Sequence, residues 1–318
     1  MVYAYGEASS DEILSDEEFG IEVNALKLKR KVEMYQWKEF TKTKKEKKLG
    51  GAEETITDYT YKKVWSDVLI NSNDFKLRED HQNPAGMDYA NYELVAAQID
   101  FGEFVIEDNV SSYFTNYKGL SLSNLYTNEF INAKIITEKE ADLEEGSSIQ
   151  KLYFGYGSHK SPQIGDYKVS FQFIENGDYS ILANQVGNTF DSFETSTEST
   201  ILMVESGKVS AKKMFSTAQS NNTVLTWVLR FVGIFMMYLG IMMIFGLVTT
   251  LANIIPFLGT LVNMGVSLFA GIISLTLPLM TISLAWIFYR PILGSIILVA
   301  AIAIILFFYK KSLDRKKV

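Results

Sequence analysis

The chain has no cysteine, only two histidines and only five prolines in 318 residues. Without cysteine there can be no disulfide, no thiolate nucleophile and no sulfur-bound metal, although the redox compartment stays open. His81 and His159 each lie among loop-type residues (HQNPAG and GSHKSP). A solvated or hydrogen-bonded histidine is the common case there, and a two-histidine metal site is the minority reading. The signatures of nucleotide binding and hydrolysis are also missing: there is no P-loop, no G-x-G-x-x-G, no H-E-x-x-H and no G-x-S-x-G. Gly155-Tyr156-Gly157 is half of a glycine fingerprint and reads as a turn. Asp16-Glu17-Glu18 and the run from Glu138 to Glu145 lack the Asx-Gly pattern of a calcium loop, so they read as solvated faces. The residues call for no cofactor, no metal and no catalytic set.

Charge is missing from one long stretch. The fifty-nine positions from Phe231 to Tyr289 carry none. One bilayer crossing takes about 20 apolar residues, so this run holds two, and a third follows at Pro291 to Tyr309. The expected spans are 224–248, 261–288 and 291–309. Thr249 to Thr260 reads as a turn or interfacial segment, Pro278 as a kink, and Tyr289-Arg290-Pro291 as a tight hairpin. Trp227, Trp286, Tyr289 and Tyr309 fall near the span ends, where amphipathic rings prefer the interface. Arg230 lies about two turns into the first span. That is shallow enough for its guanidinium to snorkel to the headgroups, which outranks an ion pathway because no intramembrane acid faces it.

Acidic residues almost vanish in the same part of the chain. From Thr223 onward there is one acid, Asp314, against seven bases, whereas residues 1–222 hold 36 acids and 23 bases. The net charges are therefore +6 and −13. The domains expected are an acidic domain over 1–222 and a membrane module over 223–318 with a basic tail at 310–318. An acidic surface argues against nucleic-acid binding. Lys310, Lys311, Arg315, Lys316 and Lys317 place the C-terminus in the cytoplasm, and three spans then put the acidic domain on the extracytoplasmic or luminal side. Met1 to Ser10 has neither a basic start nor an apolar run, so no signal peptide is visible.

The acidic domain reads as β-rich α+β. Lys31–Lys42 and Thr55–Ser66 alternate and are rich in β-branched and aromatic residues, predicting a long hairpin with a basic tip at Lys42 to Lys48. Asp166–Glu175 and Tyr179–Phe190 predict two strands joined by a tight turn at Asn176-Gly177. Thr200–Glu205 predicts another strand, while Thr137–Glu145 and Ser210–Ser220 predict helices. Asn109-Val110-Ser111 and Asn221-Asn222-Thr223 are glycosylation sequons if the domain enters a eukaryotic lumen.

Several words occur in a definite order: Leu28–Trp37 (LKRKVEMYQW), Asn83–Met87 (NPAGM), Leu120–Leu125 (LSLSNL), Gly165–Phe171 (GDYKVSF) and Phe288–Pro291 (FYRP). With the three spans they resemble the LUMA, or transmembrane protein 43, family from about Leu14 to Tyr309. The resemblance implies four spans, one of them N-terminal, with a large luminal domain between the first and second. Here the first span is missing from the pattern. The resemblance also implies residence in the endoplasmic reticulum and inner nuclear membrane of animals, with roles in nuclear-envelope organisation, lamin and emerin binding, and signalling. A lysine- and isoleucine-rich composition points instead to a bacterial cell membrane, where no lamina exists. Trp37, Asn83, Pro84, Tyr289, Arg290 and Pro291 are the family-motif candidates, with Arg230 the candidate at the membrane interface.

The expected function is that of a non-enzymatic scaffold whose partners are membrane lipids, other membrane proteins and a second copy of the chain. Gly240, Gly246, Gly259, Gly265 and Gly271 permit close helix contact; the plainer reading is that they pack the three spans together. The alternatives are a membrane-anchored enzyme or metal-binding domain using His81 and His159 and, after it, a small channel.

Overall fold

In the segment from Lys27 onward, every second residue is apolar or long enough to be buried, and this period of two dictates a strand with one face inward. The computed structural model describes residues 1–47, 53–123, 130–139, 148–196, 198–246, 256–288 and 290–315. These fall into two compact units, Met1–Lys42 with Asp58–Thr217, and Thr43–Thr57 with Ala218–Val318.

The first unit is β-rich. One sheet has the order β14 (Thr189–Asp191), β13 (Gly177–Val186), β1 (Val2–Ser9), β7 (Ile99–Phe101), β8 (Phe104–Ile106), with β17 (Met203–Ser206) on β13. The other has β10 (Lys134–Lys139), β11 (Ser148–Phe154), β12 (Tyr167–Ile174), β4 (Lys27–Lys47) and β5 (Glu53–Ser66), with β6 (Tyr92–Val95) on β4 and β9 (Lys118–Gly119) on β12. Two small hairpins, β2 (Ile13–Asp16) with β3 (Ile21–Asn24) and β15 (Phe193–Glu194) with β16 (Thr200–Ile201), complete the strands. Ala8, Phe101, Ile181 and Ala183 from the first sheet and Leu28, Val32, Met34, Val169 and Phe171 from the second join one apolar core. Each such large side chain contributes about 1.5–3 kcal/mol by leaving water.

The long hairpin expected at residues 31–66 is present as β4 and β5, but the basic run expected as its tip is mostly strand, since β4 continues through Lys47; residues 48–52 lie outside the described residues. Leu28, Arg30, Val32, Met34 and Gln36 are the buried face of β4.

Two expectations are corrected. Asn176-Gly177 is no hairpin turn, because β12 and β13 belong to different sheets. The Asn176 side chain there acts as a strand edge. Its Oδ1 accepts from the Ser10 amide at 3.2 Å and its Nδ2 donates to the Ser10 carbonyl at 3.2 Å, so the chain crosses between sheets with these backbone groups satisfied. The expected helix at Thr137–Glu145 is instead a strand over Lys134–Lys139; residues 140–145 lie outside the described ones. Ile135, Ile136 and Thr137 are β-branched and pair across to Leu152, Lys151 and Gln150, and that cross-strand packing outweighs helical charge spacing.

Three helices, Ala211–Ile244, Val262–Ile287 and Pro291–Phe308, are long and apolar enough to cross a membrane. The fold class is thus a membrane protein with a β-rich part followed by three apolar helices. The second of these helices runs from Pro256 to Ile287 and continues through Pro278. The third, Pro291–Arg315, approaches it closely at Gly294, where a Cβ would lie 2.7 Å from the Ile287 nitrogen and 3.0 Å from the Ser283 oxygen. The interfacial segment expected at Thr249–Thr260 falls largely outside the described residues, as does Tyr289.

Candidate functional site

The residues between β5 and β6 form almost no regular structure, so their backbone groups need side-chain partners. Strand β4 and Asn83 supply many of them. Asn83 Oδ1 accepts from the Trp37 amide at 2.7 Å, while its Nδ2 donates to the carbonyls of Trp37 (2.9 Å) and Ile70 (3.0 Å). Gln36 extends the lacing through the Val68 carbonyl and the Ile70 amide. Pro84 sits beside the backbone at Gly165. Above this node His81 stacks on Tyr61, ring centroids 3.8 Å apart, and meets Trp37 edge-on at 4.6 Å. Its Nδ1 donates to the Leu77 carbonyl at 2.8 Å. The Tyr61 phenol donates to Glu39 at 2.6 Å, and burial together with that carboxylate raises its pKa. A polar cleft of about 580 Å³ lies alongside, lined by Asn71, Asn73, Arg78, Glu79, Gln82 and Asn83 among others.

The structure brings Trp37, Asn83, Pro84 and His81 together. His159 lies exposed in the turn after Gly157. Among the described residues no three His, Asp or Glu side chains are grouped to hold a metal ion. With His81 clamped between aromatic rings, this arrangement shapes a cleft and laces a loop to the hairpin.

A buried carboxylate explains another sequence word. Asp166 is fully buried and accepts from the Tyr153 phenol at 2.5 Å, the Gln163 amide at 2.7 Å and the Gly157 amide at 3.2 Å. Gly155 has φ +142°, and a Cβ there would lie 2.2 Å from an Asp166 oxygen; at Gly157 the corresponding distance is 2.5 Å. The Gly155-Tyr156-Gly157 turn is therefore glycine-rich because its backbone wraps a carboxylate. Burial and Asp166 together push the Tyr153 phenol far above its ordinary range.

The acidic clusters taken as solvated faces are corrected in part. Asp16 is buried and, with Glu18, holds the buried Arg30 at 3.0 and 2.6 Å. Arg30 also lies over the rings of Phe19 and Tyr92. Glu138 bridges the buried Lys168 at 2.5 Å and Lys151 at 3.5 Å, and Lys151 reaches Glu33 at 2.8 Å. Burying these cations requires such partners, since an unpaired buried charge is costly.

In the helical unit a second arrangement forms. Arg230 lies 4.8 Å from the Trp227 ring centroid and 5.1 Å from that of Trp286. These residues, with Asn222, Thr223, Thr226 and Arg290, line a cavity of about 320 Å³. The Arg290 amide donates to the Trp286 carbonyl, closing one helix, and its carbonyl accepts from Gly294, opening the next. Pro291 starts that helix, where its missing N–H has no partner to lose.

The family model for transmembrane protein 43 matches residues 34–291. The chain belongs to the transmembrane protein 43 family. Human transmembrane protein 43 is 30% identical over 317 residues, covering 96% of this chain and 74% of the human protein. The mouse protein is 29% identical over 93% of this chain and 73% of its own length. A Drosophila melanogaster transmembrane protein 43 homolog is 25% identical over 99% of this chain and 81% of its own. No solved structure matches.

Seen on the fold, the motif words of this transmembrane protein 43 family member are largely structural. Tyr35 exchanges backbone hydrogen bonds with Gly165 and Asp166, so the words at 28–37 and 165–171 meet across neighbouring strands. Sequence reasoning missed Asp166, Arg30 and the convergence of Arg230 with Arg290. Only the last had a usable signal: three alternating spans return Trp286 and Arg290 to the level at which the first span begins.

Proposed function

We propose that this chain is a non-enzymatic membrane scaffold that assembles through its helices with other membrane proteins and with copies of itself. The observation that carries the reading is the bareness of the helical faces. None of the apolar stretch of the first span is buried inside the chain. At Gly240, Gly265 and Gly271 an added Cβ would meet nothing within 4 Å among the described residues. This favours a role for these glycines other than packing the three spans on one another. Small residues on a lipid-facing surface let a further helix approach closely. In this reading the C-terminus faces the cytoplasm, the acidic domain faces the opposite compartment, and the polar cleft beside Asn83 serves recognition.

The test is the mass of the full chain in nanodiscs, combined with proximity labelling in its native membrane. Self-association lost on Gly240→Leu and Gly271→Leu, with the fold intact, is expected. A strictly monomeric protein with no enriched membrane-protein neighbours sinks the proposal.

A further inference from the structure

The cavity bounded by Arg230, Arg290, Trp227 and Trp286 has a property that an anchor does not need. Two arginines line one volume of about 320 Å³ near the ends of apolar helices. Among the described residues neither forms an ion pair, and from Thr223 to Leu313 the sequence contains no acid. Snorkelling would satisfy one arginine with water. It does not explain why Arg230, half-buried, lies against two tryptophans of two different helices while a second arginine lines the same space. The two rings are nearly perpendicular (85°), so contact with both holds the guanidinium in place from two sides and leaves N–H groups to bind an oxyanion. The third helix begins at Pro291, and its N-terminal partial positive charge adds to the field.

The remaining lining residues narrow the ligand. The Thr223 and Thr226 hydroxyls donate to the carbonyls of Gln219 and Asn222, at 2.8 and 2.7 Å. Their protons are therefore committed, and what they offer the cavity is acceptor lone pairs. Donors for a phosphate come from Arg230, Arg290 and the Asn222 amide, whereas the threonines suit a hydroxylated headgroup. Depth agrees: the apolar run of the first helix opens at Val224, and Arg230 lies six residues further, about 9 Å along the axis. From that depth the long Arg230 side chain extends back toward the start of the apolar run, which brings its guanidinium to the phosphodiester level of a bilayer.

We propose that this cavity binds the phosphodiester of an anionic, hydroxylated phospholipid in the leaflet opposite the C-terminal lysines. Arg230 and Arg290 form the bidentate clamp, and Trp227 and Trp286 form the walls. The site does not depend on the scaffold reading, since it requires only that the helices span a bilayer.

The test weighs the intact full-length protein after gentle extraction from bilayers mixing phosphatidylglycerol with phosphatidylcholine. Wild type is expected to retain one phosphatidylglycerol in preference to phosphatidylcholine. Arg290→Gln lowers that retention about fivefold to tenfold, and Arg230→Gln with Arg290→Gln abolishes it. Lys310→Gln with Lys311→Gln, at the far end of the third helix, leaves it unchanged. Equal retention by the double arginine variant, or equal retention of phosphatidylcholine by wild type, overturns the proposal. Displacement of the lipid by excess inorganic phosphate identifies a free anion as the ligand and overturns it too. If the double variant does not fold, Arg290→Gln alone decides, because that side chain is exposed.

Discussion

Arg30 in the β-rich unit and Arg230 in the helical unit are both arginines against aromatic rings, yet they are neutralised in opposite ways. Arg30 has Asp16 and Glu18 within 3.0 Å, both supplied by the chain, and its guanidinium faces Phe19 and Tyr92. Arg230 has two tryptophans and a second arginine around its cavity, with no carboxylate of the chain in the described structure. In water a domain must close its own charges, since each buried ion loses several kcal/mol of hydration. In a bilayer the surroundings contribute phosphates and hydrocarbon, so a helix can present surface and charge outward. One region is finished by its own residues, and the other has surface left for the membrane and its contents.

Substitutions inside the β-rich unit should break this contrast most severely. Gly155→Ala forces a Cβ against the Asp166 carboxylate in a backbone conformation that alanine rarely adopts. It should cost about 3–5 kcal/mol, as removal of a buried charge partner does, read by thermal unfolding of the full chain. Arg30→Met leaves Asp16 buried and unpaired and should also lose about 3–5 kcal/mol. Adding Asp16→Leu should restore much of that loss; failure to do so would mean that the ion pair is not what holds the site. Asn83→Ala orphans the Trp37 amide and two carbonyls and should cost about 1–3 kcal/mol. Its loss should raise proteolysis between residues 67 and 91 before global unfolding.

A smaller effect is set by pH. Burial pushes the phenols of Tyr92 and Tyr179 up to about 12. Because the folded pKa is above the unfolded value of about 10, the native state holds these protons more tightly. Stability from them is fully present below pH of about 10 and is lost as pH rises from about 10 to about 12. Urea unfolding at pH 8 and pH 11 checks this, and Tyr179→Phe should flatten the alkaline slope. The smallest change is expected at Gly240→Leu. The unfolding free energy of the monomer should move by less than about 0.5 kcal/mol, because among the described residues nothing lies near the added side chain. A large loss there would end the contrast, since it would mean that the helical face is already covered.

The membrane module was readable because its signal is additive: fifty-nine uncharged residues need no partner to be recognised. The β4–β5 hairpin was readable for a related reason, since alternation along one strand is local. Asn176-Gly177 misled because a turn-prone pair looks the same in a hairpin and in a crossover between sheets; Ser10, 166 residues away, distinguishes them. Thr137 to Lys139 misled because cross-strand pairing with residues 148–150 outweighs helical charge spacing. In the candidate sites, Trp37, Asn83, Pro84 and Arg290 stand in the motif words, whereas the roles of Asp166, Arg30 and the tryptophan walls could not be read from theirs. Each of these takes its role from groups brought close only in three dimensions.

Amino-acid order therefore accounts for the solvent each part occupies, the β-rich class and the presence of apolar helices, because burial and charge sum over neighbouring residues. Which carboxylate is buried, which glycines must stay bare and which two arginines share a cavity depended on the folded chain. Hydrogen bonds and close contacts act over about 3–4 Å, and they join residues as far apart in order as Ser10 and Asn176.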